Sequence, residues 1–261
     1  MDGQLKKKVG INALFLTLTL IVNVLGGFGF INDTTQGDVS DEFFTLITPS
    51  STTFSIWSVI YGLLIVSIVV MYLKRDEKYY EQLINKITPY FIISCILNMS
   101  WIVLFSFVFV ELSTLFIFGY AIVLALICQQ LMRIHETNRW LLPLTFGLYT
   151  GWLMIATVVN VATSLVKIEW NGFGISDNIW AMIILIVSVG LVIGVSLAVK
   201  NAVLPLSVAW AYFGIYQNLA NEHTGDYSLL QIVAIAGLVV LIGYAGIQFY
   251  KNKYQVISPQ N

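Results

Sequence analysis

The sequence predicts an all-α integral membrane protein with about eight transmembrane helices, and three observations carry that prediction. The 261-residue chain is 58% hydrophobic and only 10% charged, with a mean hydropathy of +0.83. Its apolar residues form long runs, and its 13 Lys and Arg residues sort to alternate connections between them. A water-soluble domain of this length needs a polar skin that such a composition does not supply. Lipid pairs with no backbone N–H or C=O, so each run must close its own hydrogen bonds as a helix or join a closed barrel. Runs of about twenty residues fit helices, whereas barrel strands alternate over about ten.

In chain order, spans are expected at residues 9–31, 53–73, 89–110, 112–132, 141–166, 179–199, 202–220 and 228–250. Only Glu111 separates the third from the fourth. One helix through both would be about twice what a ~30 Å hydrocarbon core needs, so a tight hairpin at Glu111 is expected. With the N-terminus inside, the cytoplasmic segments carry Lys6, Lys7, Lys8, Lys74, Arg75, Lys78, Lys86, Arg133, Arg139, Lys200, Lys251 and Lys253. The opposite loops carry Lys167 alone. This split follows the positive-inside rule. It predicts a multi-pass cell-membrane protein with both termini cytoplasmic and loops 32–52 and 167–178 outside. The opening Lys6-Lys7-Lys8 before an apolar run has the form of a signal peptide. The run is longer than an h-region and no small-x-small cleavage site follows, so an uncleaved anchor is expected.

No expected span has an Asp, Glu, Lys, Arg or His in its middle. Such residues usually mark ion pathways, proton relays and retinal counter-ions, and their absence disfavours all three. His135 at a helix end and His223 in an outer loop read as solvated. Cys95 and Cys128 fall inside spans, which suggests neither a disulfide framework nor a zinc site. P-loop, G-x-S-x-G and HExxH motifs are missing. The chain therefore displays no machinery for hydrolysis, phosphoryl transfer or metal chemistry, and no metal ligands are assigned. No nucleic-acid partner is expected.

The spans do contain aromatic side chains and isolated amides. The second holds Phe54, Trp57 and Tyr61; the third holds Ser94, Asn98, Trp101 and Phe105; the fifth holds Tyr149, Trp152, Ala156 and Asn160. At about 100° per residue the last four fall within an arc of about 80°. An amide in hydrocarbon is costly without a partner, so Asn98 and Asn160 are expected to face the bundle interior. Two readings of these stripes stand side by side: a ligand pocket, or interhelical glue with Trp residues belonging to a headgroup belt. Trp140, Trp170 and Trp180, at span ends, read as belt. Gly26-Gly27-Phe28-Gly29 and Gly190-x-x-x-Gly194 read as close helix packing.

Taken in order, the stripes resemble the tryptophan-rich sensory protein family, the bacterial relatives of the mitochondrial translocator protein (peripheral benzodiazepine receptor). The family's proline followed by W-x-x-x-Y is matched by Pro49 and Trp57-Ser-Val-Ile-Tyr61. Its L-N-x-x-W-x-x-L-F is matched by Leu97-Asn98-Met-Ser-Trp101-Ile-Val-Leu104-Phe105. Its Y-x-x-W-x-x-x-A-x-x-x-N is matched by Tyr149, Trp152, Ala156 and Asn160. The resemblance covers residues 9–166. The first loop departs from the family in keeping one proline, Pro49, and in placing Phe54 three residues before Trp57, with Thr53 at the usual phenylalanine position.

Members have five helices, so the resemblance implies a translocator-like core over 1–166 and three additional helices with a short cytoplasmic tail over 167–261. It also implies binding of a flat hydrophobic molecule, a porphyrin or sterol-like lipid, under the first loop. Trp57, Tyr61, Asn98, Trp101, Tyr149, Trp152, Ala156 and Asn160 are the expected ligand-binding residues. No catalytic residue is assigned and no cofactor is required, although a bound tetrapyrrole fits the resemblance. A binder or sensor is the leading reading, a transporter of neutral or lipophilic solutes the second, and light-dependent porphyrin degradation the third. The partners are the bilayer and the ligand; the extra helices bear on the surface by which five-helix members form homodimers, which leaves the oligomeric state open. The apolar stretch Phe43-Phe44-Thr-Leu-Ile47 in an otherwise acidic first loop is expected to act as a lid. A cholesterol-type pattern, Val70-Met-Tyr72-Leu-Lys74, follows the second span.

Overall fold

The computed structural model describes residues 2–134, 136, 138–222 and 227–258, with the backbone alone at 2 and 222; His135 and His223 lie outside the described residues. In chain order the helices are α1 (Asp2–Gly27), α2 (Gln36–Glu42), α3 (Ile56–Leu73), α4 (Lys78–Ser106), α5 (Val110–Arg133), α6 (Leu141–Lys167), α7 (Asp177–Val199), α8 (Leu204–Glu222) and α9 (Ser228–Lys251). Two 3₁₀ turns, Ser51–Ser55 and Gly172–Gly174, sit in the connections. Among the described residues the one β-bridge joins Asn201 to Ile257. The protein is thus all-helical, as its apolar periodicity requires.

Among the described residues, seven of the eight long helices are long and apolar enough to cross a membrane, and α8 is the exception. Its surroundings explain why. Leu204, Val208, Ala211, Tyr212, Ile215 and Leu219 are each at most 1% exposed, so protein rather than lipid wraps α8. It packs between α6 and α9 and touches the Ser51–Ser55 turn. A helix sheltered in this way can carry Gln217 and Asn218, provided that each finds a partner. α1 packs on α3 and α4, α5 lies between α4 and α6, and α7 packs on α9. One apolar core joins residues of α1, α3–α6 and α7–α9.

The helices alternate in direction. Lys8 Nζ donates to Asn85 Oδ1 at 2.6 Å, Arg139 pairs with Glu77 at 2.8 Å, and Asn201 Nδ2 donates to the Pro143 carbonyl at 2.8 Å. Asn252 Nδ2 reaches the Lys200 carbonyl at 2.9 Å. These ties gather the basic connections at one end of the bundle. Lys167 stands at the other end, 2.7 Å from Glu111.

Several boundaries differ from the sequence expectation. α1 and α4 begin at Asp2 and Lys78, well before their apolar runs, and Pro89 lies inside α4. Hydropathy marks the lipid-soluble part of a helix, whereas its backbone bonds continue into water. The α4–α5 reversal falls at residues 107–109, with Val108 at φ 61°, and not at Glu111. Glu111 instead occupies the first turn of α5, where a carboxylate suits the helix dipole.

The glycine expectation is also corrected. Nothing lies within 4 Å of a Cβ built at Gly190, Gly194 or Gly27, so these make no close helix contact, although Gly26 does abut Gln36 and Ile102. The close crossing is at Gly147 and Gly151 of α6. A Cβ at Gly151 would lie 2.1 Å from the Leu204 carbonyl oxygen, and one at Gly147 2.5 Å from Asn201. Bare backbone here lets α8 start against α6.

Candidate functional site

The three stripes converge in the half of the bundle away from the basic end, but they form two groups. The first is a closed circuit. The Trp57 ring stacks on Tyr61 at 5.2 Å between centroids. The Tyr61 hydroxyl donates to Asn23 Oδ1 at 2.9 Å, Asn23 Nδ2 donates to Asn98 Oδ1 at 2.6 Å, and Asn98 Nδ2 donates to the Tyr120 hydroxyl at 3.2 Å. Tyr120 meets Tyr149 edge-on at 5.6 Å, and Tyr149 meets Trp57 edge-on at 5.9 Å. Trp152 joins from α6, edge-on to Trp57 at 6.2 Å and to Phe54 at 5.7 Å. Edge-to-face packing of this kind is favourable by about 0.5–1.5 kcal/mol per pair beyond burial.

Trp101 and Asn160 make the second group. The Trp101 indole N–H donates to Asn160 Oδ1 at 2.9 Å. Asn160 Nδ2 donates to Thr114 Oγ1 at 2.7 Å and to Ser113 Oγ at 3.2 Å. Ala156, half-buried, lies on α6 one turn from both Trp152 and Asn160. Both amides are thus satisfied inside the protein and tie helices together. Asn23 and Tyr120 complete these ties and were missed from the sequence. Asn23 sits in α1 with no aromatic stripe beside it, and Tyr120 is one of many tyrosines.

Among the described residues, one polar atom in this region has no partner. Trp152 is 2% exposed, and its indole N–H finds no acceptor. Leaving such a donor unpaired in a buried place costs about 1–3 kcal/mol.

α8 fixes the loop above these rings. The Ser50 N–H donates to the Gly214 carbonyl at 3.0 Å, Asn218 Nδ2 to the Thr48 carbonyl at 3.1 Å, and the Trp210 indole to the Thr53 carbonyl at 2.9 Å. The Ser50 hydroxyl donates to Gln217 Oε1 at 3.2 Å. Thr53 is buried against Gly214, where a Cβ would come within 2.0 Å of Thr53 Oγ1. Thr53 therefore seats the loop on α8, while Phe54 covers Trp152. The displaced phenylalanine noted in the sequence has this consequence.

Two cavities, of about 500 and 230 Å³, are lined by none of the eight expected residues. The larger, about 500 Å³, opens beside the first loop. Leu46 and Ile47, Leu165 of α6, and Trp170, Trp180 and Tyr227 form much of its wall. Trp170 and Trp180 face each other at 5.1 Å, and the Trp180 N–H is held by the Gly172 carbonyl at 2.8 Å. Both line this cavity, in contrast to their belt reading; Trp140 is 58% exposed. The cavity joins segments far apart in sequence, so no periodicity announced it.

A model of the family described as TSPO-like protein matches residues 9–247. The chain belongs to the TSPO-like protein family. The match runs beyond residue 166 through α7 and α8 and into α9. No curated protein and no solved structure gave a significant match. TSPO-like membership and the apolar helices together establish a multi-pass membrane protein, and they place it in the general class of membrane ligand binding or transport.

Proposed function

We propose that this TSPO-like protein is a membrane receptor for a flat hydrophobic molecule of the tetrapyrrole type, bound among Trp57, Tyr61, Tyr149 and Trp152. The observation that carries this reading is the unpartnered Trp152 N–H inside an aromatic cage. A flat ring system offers faces to Trp57 and Phe54, and a carbonyl or carboxylate on its rim offers the acceptor that Trp152 lacks. Entry requires Phe54 or Trp57 to swing off Trp152. Phe54 is the freer of the two, being 42% exposed. Asn98 and Asn160 act behind the cage by holding α1, α4, α5 and α6 in register.

The test is a titration with protoporphyrin in detergent, in the dark, followed by tryptophan quenching. Trp152→Leu should weaken binding several-fold to about tenfold, the scale of a lost ring contact plus hydrogen bond. Trp140→Leu should leave it unchanged. Equal effects would reduce the cage to packing.

We further propose that the basic end faces the cytoplasm, on the strength of the twelve-to-one charge split. Cys95 and Cys128 are buried, so an impermeant maleimide reports only introduced cysteines. Asp41→Cys and Ser176→Cys should label in intact cells and Lys253→Cys only after lysis. The reverse pattern would invert the topology.

A further inference from the structure

We propose that a second cavity, at the basic end, binds the phosphate of an anionic membrane lipid. The cavity measures about 230 Å³ and lies between the end of α3, the start of α4 and the start of α6, with Lys74, Tyr79, Tyr80, Arg139 and Trp140 in its wall. Three observations point to an anion there.

The first is Tyr79, which is 3% exposed and whose hydroxyl has no hydrogen-bond partner among the described residues. A buried, unpaired hydroxyl on a residue that lines the cavity suits a ligand that accepts a hydrogen bond once the ring shifts toward it. The second is the character of the wall. Among the described residues it contains Lys74 and Arg139 as cations and no carboxylate. Glu77 and Glu136, outside the lining, hold the Arg139 guanidinium at 2.8 and 3.6 Å, and its carbon lies 5.1 and 5.3 Å from the Tyr79 and Tyr80 ring centroids. The guanidinium is therefore oriented before any ligand arrives, while Lys74 stays about half exposed, 3.6 Å from Glu77.

The third is what flanks the cavity. Trp140 is 58% and Leu73 68% exposed beside it, an apolar shelf at the level where helices leave the bilayer. A free phosphate has no use for that shelf, whereas a lipid lays its acyl chains on it. Basic pockets between helices at this level suit anionic headgroups. The sterol-type pattern is divided by the same geometry. Val70 and Lys74 line the cavity, but Tyr72 lies on another face, 48% exposed, with Arg75 over its ring at 5.1 Å.

The experiment is native mass spectrometry of the full chain in detergent with added phosphatidylglycerol or phosphatidylcholine, alongside thermal melts. The wild type should retain phosphatidylglycerol in preference and gain melting temperature from it. Tyr79→Phe should melt no lower than wild type without lipid, because it deletes an unpaired hydroxyl. The same variant should lose about tenfold in phosphatidylglycerol affinity, the scale of one hydrogen bond to a charged group. Lys74→Gln should weaken retention similarly, while Lys86→Gln, exposed on α4 outside the cavity wall, should not. Equal retention of the two lipids, an unaltered Tyr79→Phe, or an equal loss in Lys86→Gln would overturn the proposal. Stabilisation by inorganic phosphate as strong as that by the lipid would overturn the lipid assignment.

Discussion

Residues 48–54 and residues 43–47 are neighbours in one loop, yet they are held in different ways. The later half is tied to α8 by Asn218, Trp210, Gln217 and the Gly214 carbonyl, and it places Phe54 on Trp152. In the earlier half, residues 44–47 wall the larger cavity, Phe43 packs near Val39, Phe105 and Val110, and hydrogen bonds run to nearby residues of the same stretch, from the Phe43 N–H to the Val39 carbonyl and between the Thr45 and Thr48 hydroxyls, rather than to α8. Polar ties have one geometry and resist sliding, whereas apolar contact is nearly indifferent to direction. One half thus behaves as a fixed wall over the aromatic cage. The lid expected of the first loop belongs, on this account, to the other half.

The largest effect should follow from forcing the wall off its seat. Gly214→Val places side-chain atoms where Thr53 lies. It should cost about 1–3 kcal/mol, as overpacking does, and lower the thermal midpoint in detergent. Gly190→Val, in open space on α7, should stay within about 0.5 kcal/mol. Similar losses from both would deny that the wall is fixed.

A smaller effect is expected from Asn218→Ala, which removes one tie to Thr48 and should cost about 1 kcal/mol. Hydrogen exchange would sharpen the reading. The Ser50 amide should lose protection in this variant, while the Phe43 amide, bonded to Val39, should keep it. Deleting residues 43–47 should act in the opposite sense. It should speed the release of bound protoporphyrin in a stopped-flow dilution and leave the Ser50 amide protected. An unchanged release rate in a folded protein would remove the lid.

Much of this was legible in the sequence because its signals are local. The apolar runs and the sorting of Lys and Arg gave the long helices and their alternation. The 3.6-residue stripes brought Trp57, Tyr61, Asn98, Tyr149 and Trp152 into one circuit. What escaped were relations between distant segments. Asn23 pairs with Asn98 across 75 residues and Asn218 with Thr48 across 170, and neither pairing has a period. Gly147 and Gly151 lay inside the stripe-bearing helix, where the rings drew attention from the opposite face. α8 looked like one more span, although its polar residues answer to the first loop. Stripes locate packed rings; they do not locate space, and both cavities lie elsewhere.

The smallest effect concerns α2, which precedes the lid. Thr35 caps this helix, its backbone N–H donating to Asp38 at 2.8 Å and its hydroxyl accepting from the Asp38 N–H at 3.1 Å. The Thr35 backbone N–H first, and the Thr35 side chain after it, hold the Asp38 carboxyl below its ordinary value. A carboxyl lowered on folding contributes above its unfolded value and loses that contribution as pH falls through the folded one. Exchange of the α2 amides should therefore quicken relative to intrinsic rates as the solution is acidified below the usual carboxylate range. Asp38→Asn should flatten that dependence.

The central claim, that the aromatic cage rather than the neighbouring cavity takes the ligand, is tested most directly by photocrosslinking. A porphyrin bearing a diazirine on its rim, irradiated with the protein in detergent and mapped by peptide mass spectrometry, should label peptides of α3 and α6 that contain Trp57 and Trp152. Competition by unmodified porphyrin should remove that label. Label confined to the peptides carrying residues 44–47, Trp170 and Trp180 would contradict the account and move the site to the cavity beside the first loop.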